Sequence, residues 1–167
     1  INPAQPSFQL LGVFSPLLVG PLAETLHALG LRRGIVVHGK TRSGCGMDEL
    51  TCAGKNVAAG FGELSELRKE AWSPAAFGLT PCSEEDLAGG NLEDNLRIMG
   101  DLFSGRAPKG LLATIAANAG TAFFIAEKAD DIREGVTLAK DLILDGTVRN
   151  WLDRAKAFYA EHSSDDA

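Results

Sequence analysis

A strand, a helix and a second strand follow one another within residues 9–37, and that order constrains the fold more than any other feature of the chain. Residues 9–14 form a short apolar run. Ser15-Pro16 then supplies an N-cap hydroxyl followed by proline in the first helical turn, where its missing N–H is no loss. Leu18, Leu22, Leu26 and Leu29 recur at helical spacing, and Gly30 offers a left-handed stop. Ile35-Val36-Val37 is the next strand, ending in His38-Gly39. Strand, helix and strand in so short a stretch predict a parallel pair, joined by a right-handed crossover and buried under helices on both faces.

Downstream, residues 48–51, 56–59 and 63–72 read as shorter strands separated by glycine turns at Gly54 and Gly60. After a turn-rich segment over residues 73–90 the pattern becomes helical. Asn91 caps a helix to about Ser104, and Pro108 opens a long apolar helix to about Ala129. Asp131 with Glu134 makes a start resembling a capping box for a helix that ends at Gly146, and Thr147 begins the last helix. The polar tail from His162 is expected to fray. The predicted class is therefore α/β, with a parallel-sheet core, flanking helices and a helical carboxyl-terminal region.

With 167 residues, 45% of them hydrophobic, the chain can build one sizeable core. A net charge of −6 and a pI near 5.0 argue against nucleic acid as partner, because phosphate backbones select for clustered Lys and Arg. Cys45, Cys52 and Cys82 lack metal-ligand spacing and form an odd set, which fits reduced thiols in a cytoplasm. No apolar run is long enough to span a bilayer and no secretory pattern opens the sequence, so no membrane association is expected.

The chemistry resides in Gly46-Met47-Asp48-Glu49-Leu50, which places two adjacent carboxylates just past a buried strand, where open α/β sheets keep their ligands. An acidic dipeptide alone decides nothing, since a chain this acidic yields roughly three such pairs by chance. The surrounding strings carry more weight: Asn2-Pro3-Ala4, the run from Gln9 to Phe14, and Val36-Val37-His38-Gly39 precede the pair. Phe77-Gly78-Leu79, Leu87-Ala88-Gly89-Gly90-Asn91, Asn95 and Asn118-Ala119-Gly120 follow it.

In this order the strings resemble the anthranilate phosphoribosyltransferase family over nearly the whole chain to about Leu152, but only over the second half of that family's sequence. The resemblance implies an incomplete catalytic domain of the nucleoside phosphorylase and phosphoribosyltransferase type over residues 1–152, with the end of the last helix and a polar tail over residues 153–167. It also implies a pentosyltransferase of tryptophan biosynthesis, acting on phosphoribosyl pyrophosphate and anthranilate. Asp48 and Glu49 inherit the metal role, with Mg2+ neutralising the pyrophosphate, and the full-length protein is expected to be a homodimer. Two departures stand out. The family usually places only about two residues between His-Gly and Gly-Leu-Asp-Glu, whereas Lys40-Thr41-Arg42-Ser43-Gly44-Cys45 intervenes here. The glycine-rich pyrophosphate loop Gly-Thr-Gly-Gly-Asp and the amino-terminal helical domain do not occur in these residues. The chain reads as a fragment, without transferase activity on its own.

The other candidates read as structural. His38 at a strand end is expected to hold the fold, Lys40 and Arg42 to be solvated, and Gly89-Gly90-Asn91 to form a turn and cap. Asn118 should be a buried polar residue bonded to backbone, and nothing marks Cys45 as a nucleophile. Two rival functions stay open: a non-catalytic binding module of the same fold, disfavoured by the acid pair, and a related nucleoside phosphorylase.

Overall fold

The computed structural model describes residue 4 and residues 6–162; Asn2, Pro3 and the tail beyond His162 lie outside the described residues. Phe8–Gly12 forms strand β1, and Ser15 caps a 3-10 turn over Pro16–Leu18 that runs into helix α1, Val19–Ala28. The Ser15 hydroxyl accepts from Leu17 N and proline occupies the first turn, as the sequence predicts. Strand β2, Arg33–Thr41, lies parallel to β1 with Leu10 opposite Ile35, and it is buried along almost its whole length. A central strand covered on both faces has to be a near-continuous apolar run, which accounts for Ile35-Val36-Val37.

Beyond β2 the sheet is mixed rather than parallel throughout. Strand β3, Gly46–Met47, and strand β4, Gly54–Gly62, both run antiparallel to β2, and strand β5, Arg68–Trp72, runs antiparallel to β4. The sheet order is β1-β2-β4-β5, with β3 paired to β2 off this path. The α/β class with flanking helices is as the sequence predicts, and the departure lies in the strand and turn boundaries over residues 48–60. Residues 48–51 are a bend and loop, and Gly54 and Gly60 lie inside one nine-residue strand instead of marking turns. A Cβ on Gly60 would stand 2.0 Å from Leu64 O, so that glycine permits a close backbone approach. The turn comes at Gly62, whose φ of +61° is one that L side chains avoid.

Two apolar layers enclose the sheet. On one face Val19, Ala23 and Leu26 of α1 pack on Val36, Ala59 and Phe61. On the other, helix α3, Lys109–Ile125, lays Ala113, Ala116 and Ala117 against Ile35, Val37 and Leu50. Each fully buried Leu or Phe of these layers contributes about 1.5–3 kcal/mol. Helix α4, Ile132–Leu144, packs behind α3 through Val136 and Ala139. Helix α2, Leu92–Phe103, is capped by Asn91 through Asp94 N, and Asp131 caps α4 through Glu134 N. Helix α5, Thr147–His162, buries no residue and leaves Trp151 60% exposed.

Candidate functional site

Along one edge of β2 the neighbour changes. β1 pairs with residues 33–37 of β2, and β3 takes over at Gly39 and Lys40. Asp48 and Glu49 follow β3 directly, as a bend at this junction, beside the carboxyl end of β1. Adjacent residues in an extended strand point to opposite sides, so a bend is what lets neighbouring carboxylates share one region. Both residues are exposed. Although Glu49 is exposed, the protein on one side of its carboxyl partly desolvates it and pushes its pKa up from the ordinary carboxylate value, and the charge of Asp48 adds to the rise.

The bend is held by backbone packed on backbone. A Cβ on Gly12 would fall 1.5 Å from Asp48 O, and one on Gly39 would fall 2.4 Å from Glu49 O. Only glycine leaves room for the loop at both positions, the end of β1 and the interior of β2. Side-chain amides then replace the missing strand neighbour. Asn118 of α3 accepts from Leu50 N at 2.9 Å and donates to Leu50 O at 2.8 Å and Thr114 O at 2.9 Å. Asn56 accepts from Thr51 N at 2.7 Å and donates to Thr51 O and Trp72 O. Cys52 N donates to the Thr114 hydroxyl at 3.2 Å.

The lesser candidates fall where the sequence puts them. His38 is 2% exposed, and its Nδ1 lies 2.8 Å from Val13 O; since a carbonyl can only accept, Nδ1 donates, tying the end of β1 to β2. Asn118 is partly buried and bonded to backbone. Gly90 and Asn91 form a turn and cap, with Asn95 bonded to both Gly90 N and Gly90 O. Lys40 and Arg42 are exposed, Lys40 standing opposite Lys55 across the β2–β4 pair. Cys45 is exposed in the turn between β2 and β3. Sequence reasoning missed Asn56 and Glu84, whose bonds span loops that no local pattern connects.

The family model described as the a/b domain of the glycosyl transferase family matches residues 1–149. The chain belongs to this family. Among its glycosyl transferase relatives, it is 40% identical over 155 residues to the anthranilate phosphoribosyltransferase of Rubrobacter xylanophilus, covering 92% of this chain and 43% of that one. The enzyme of the same name from Petrotoga mobilis is 34% identical over 158 residues, 94% of this chain and 44% of the relative. Among solved structures, anthranilate phosphoribosyltransferase from Thermus thermophilus superposes with a TM-score of 0.76 at 36% identity, over 88% of this chain and 41% of that chain. The Saccharomyces cerevisiae enzyme in complex with PRPP and Mg shares the fold at a TM-score of 0.67 and 23% identity, covering 86% of this chain and 39% of that one. The chain thus spans under half the length of the relatives it matches, and the resemblance carried by its motifs is borne out.

The donor set at the bend suits a hard cation. Among the described residues no group of three or more His, Cys, Asp or Glu side chains comes together, so a metal here would meet two carboxylates and fill the rest of its shell with water or ligand oxygens. Magnesium binds in that way, through one or two carboxylates plus phosphate oxygens.

Proposed function

We propose that this chain is the part of an anthranilate phosphoribosyltransferase that presents Asp48 and Glu49 to the diphosphate of phosphoribosyl pyrophosphate. The observation that carries the reading is the acid pair itself, held at a bend by Gly12, Gly39 and Asn118 at the end of a parallel strand pair. The family match and the relatives' names support the reaction class, transfer of phosphoribose to anthranilate. Residues 1–152 then form part of the catalytic domain, residues 153–167 close the last helix, and the full-length protein is a cytoplasmic homodimer.

Asp48 and Glu49 would hold Mg2+, which, when bound, offsets the charge that collects on the departing diphosphate. The protein's own part is to hold the backbone of the two acids at the bend, so that their side chains leave the chain from one fixed place. Ionised Glu49 is disfavoured by partial desolvation and by the charge of Asp48, and a cation at the pair would offset both. The chain holds neither the glycine-rich phosphate loop nor the acceptor's contacts, so it cannot orient donor and acceptor by itself.

The decisive test is turnover in the full-length protein. Asp48→Asn with Glu49→Gln is expected to lower kcat/KM by about 10²-fold or more and to abolish the magnesium dependence. Unchanged activity with unchanged magnesium dependence would exclude the assignment. The chain alone, given anthranilate, donor and magnesium, should form no product.

A further inference from the structure

Residues 42–45 form a tight turn that joins the end of β2 to β3 in a hairpin. Thr41 N donates to Cys45 O at 2.9 Å, Gly44 N donates to Thr41 O at 3.1 Å, and Gly44 takes φ +97°. The ladder beneath this hairpin is short, with only Gly39 opposite Met47 and Lys40 opposite Gly46. So short a strand pair is marginal without outside support.

That support comes from across the molecule. Ser43 donates twice to the Glu84 carboxylate, from N to Oε1 at 2.8 Å and from Oγ to Oε2 at 2.7 Å, so both oxygens are engaged. The Thr41 hydroxyl extends the network, lying 3.1 Å from Ser43 Oγ and accepting from Cys45 N at 3.1 Å. The Ser43 hydroxyl, then its amide, hold the Glu84 carboxyl below the usual carboxylate range, as expected of an acceptor that is bonded while ionised. Two residues before Glu84, Cys82 N donates to Cys52 O at 2.9 Å. One short segment therefore grips the chain on both sides of the acid pair, at Ser43 upstream and at Cys52 downstream.

We propose that Glu84 is a positioning residue for Asp48 and Glu49, acting through Ser43 to fix the hairpin from which the acid pair emerges. The metal part of this inference rests on the function proposed above. The lengthened loop makes such a latch necessary: a longer connection has more freedom to lose, and an anchor at its tip removes that freedom before an ion arrives.

The test uses the full-length protein, with Mn2+ as an EPR-visible substitute for Mg2+. Glu84→Gln keeps the shape of the side chain but turns one accepting oxygen into a donor. It is expected to speed amide exchange at Cys45 about tenfold, to weaken Mn2+ binding several-fold, and to shift the Asp48 and Glu49 amide resonances. Ser43→Ala, which removes only the hydroxyl, should fall between Glu84→Gln and the wild type. Glu63→Gln, whose carboxylate pairs with Arg32 elsewhere, should leave all three readouts unchanged. Faster exchange at Cys45 with unaltered Mn2+ affinity and unmoved Asp48 and Glu49 resonances would overturn the proposal, because Glu84 would then serve only the hairpin. If the wild-type full-length protein itself holds no Mn2+, the metal reading falls. The two amide resonances then decide the latch alone: movement upholds it and constancy overturns it.

Discussion

The bend at Asp48 and Glu49 is fixed by backbone against backbone at Gly12 and Gly39 and by an amide clamp from Asn118, whereas α5 buries no residue and leaves Trp151, Phe158 and Tyr159 largely exposed. The contrast separates two ways of using apolar and polar groups. At the bend a few polar side chains do structural work, because the loop backbone there has no strand partner and Leu50 and Thr51 are fully buried. In α5 large aromatic rings contribute little to this chain's own stability, because most of their surface still faces water.

Substitutions can break this comparison or sharpen it. Gly12→Ala should have the largest effect, since the new methyl carbon would overlap the Asp48 carbonyl, which is backbone and cannot swing away. A loss of about 3 kcal/mol or more, read from the denaturant midpoint, is expected. Asn118→Ala should come next, at about 2 kcal/mol, because it leaves the N–H and carbonyl of buried Leu50 without partners. A Trp151→Ala variant that loses as much as either would show that α5 is held as firmly as the bend, and the contrast would fail.

Glu49→Gln sharpens the comparison through pH. The folded state raises the Glu49 pKa, so the ionised form costs stability that is fully present only below the ordinary glutamate range and is lost as pH rises through the elevated value. The variant should therefore melt about one to two degrees above the wild type at neutral pH in a metal-free buffer, and at the same temperature near pH 3. Saturating Mg2+ should stabilise the wild type and leave the variant unmoved. Trp151→Ala should have the smallest effect, under about 0.5 kcal/mol, measured in the same unfolding experiment.

The features that were legible in the sequence are those whose cause is local. The Ser15, Asn91 and Asp131 caps each bond to an amide within three residues, so the motif contains both partners. The parallel β1–β2 pair follows from a crossover short enough to see whole. The misread part has distant causes. Gly54 and Gly60 look like turn residues until the chain they make room for is known, which is Lys40 in one case and Leu64 in the other. Residues 48–51 read as a strand between glycine turns although their apolar alternation is weak, yet the backbone of Leu50 and Thr51 finds its partners in the amides of Asn118 and Asn56 rather than in a neighbouring strand. The acid pair itself was legible as a motif, while Glu84, bonded to a turn far away in the chain, carried no signal.

The close approach of Gly12 to the Asp48 backbone bears on the order of folding. The Asp48 carbonyl fills the space that a Cβ on Gly12 would need, so the loop can seat against the end of β1 only once the crossover helix has brought the two segments together. An assembly intermediate with a frayed first strand would scatter the carboxylates, and cation capture would then mark completion of the whole β1–α1–β2 unit rather than collapse of the loop alone.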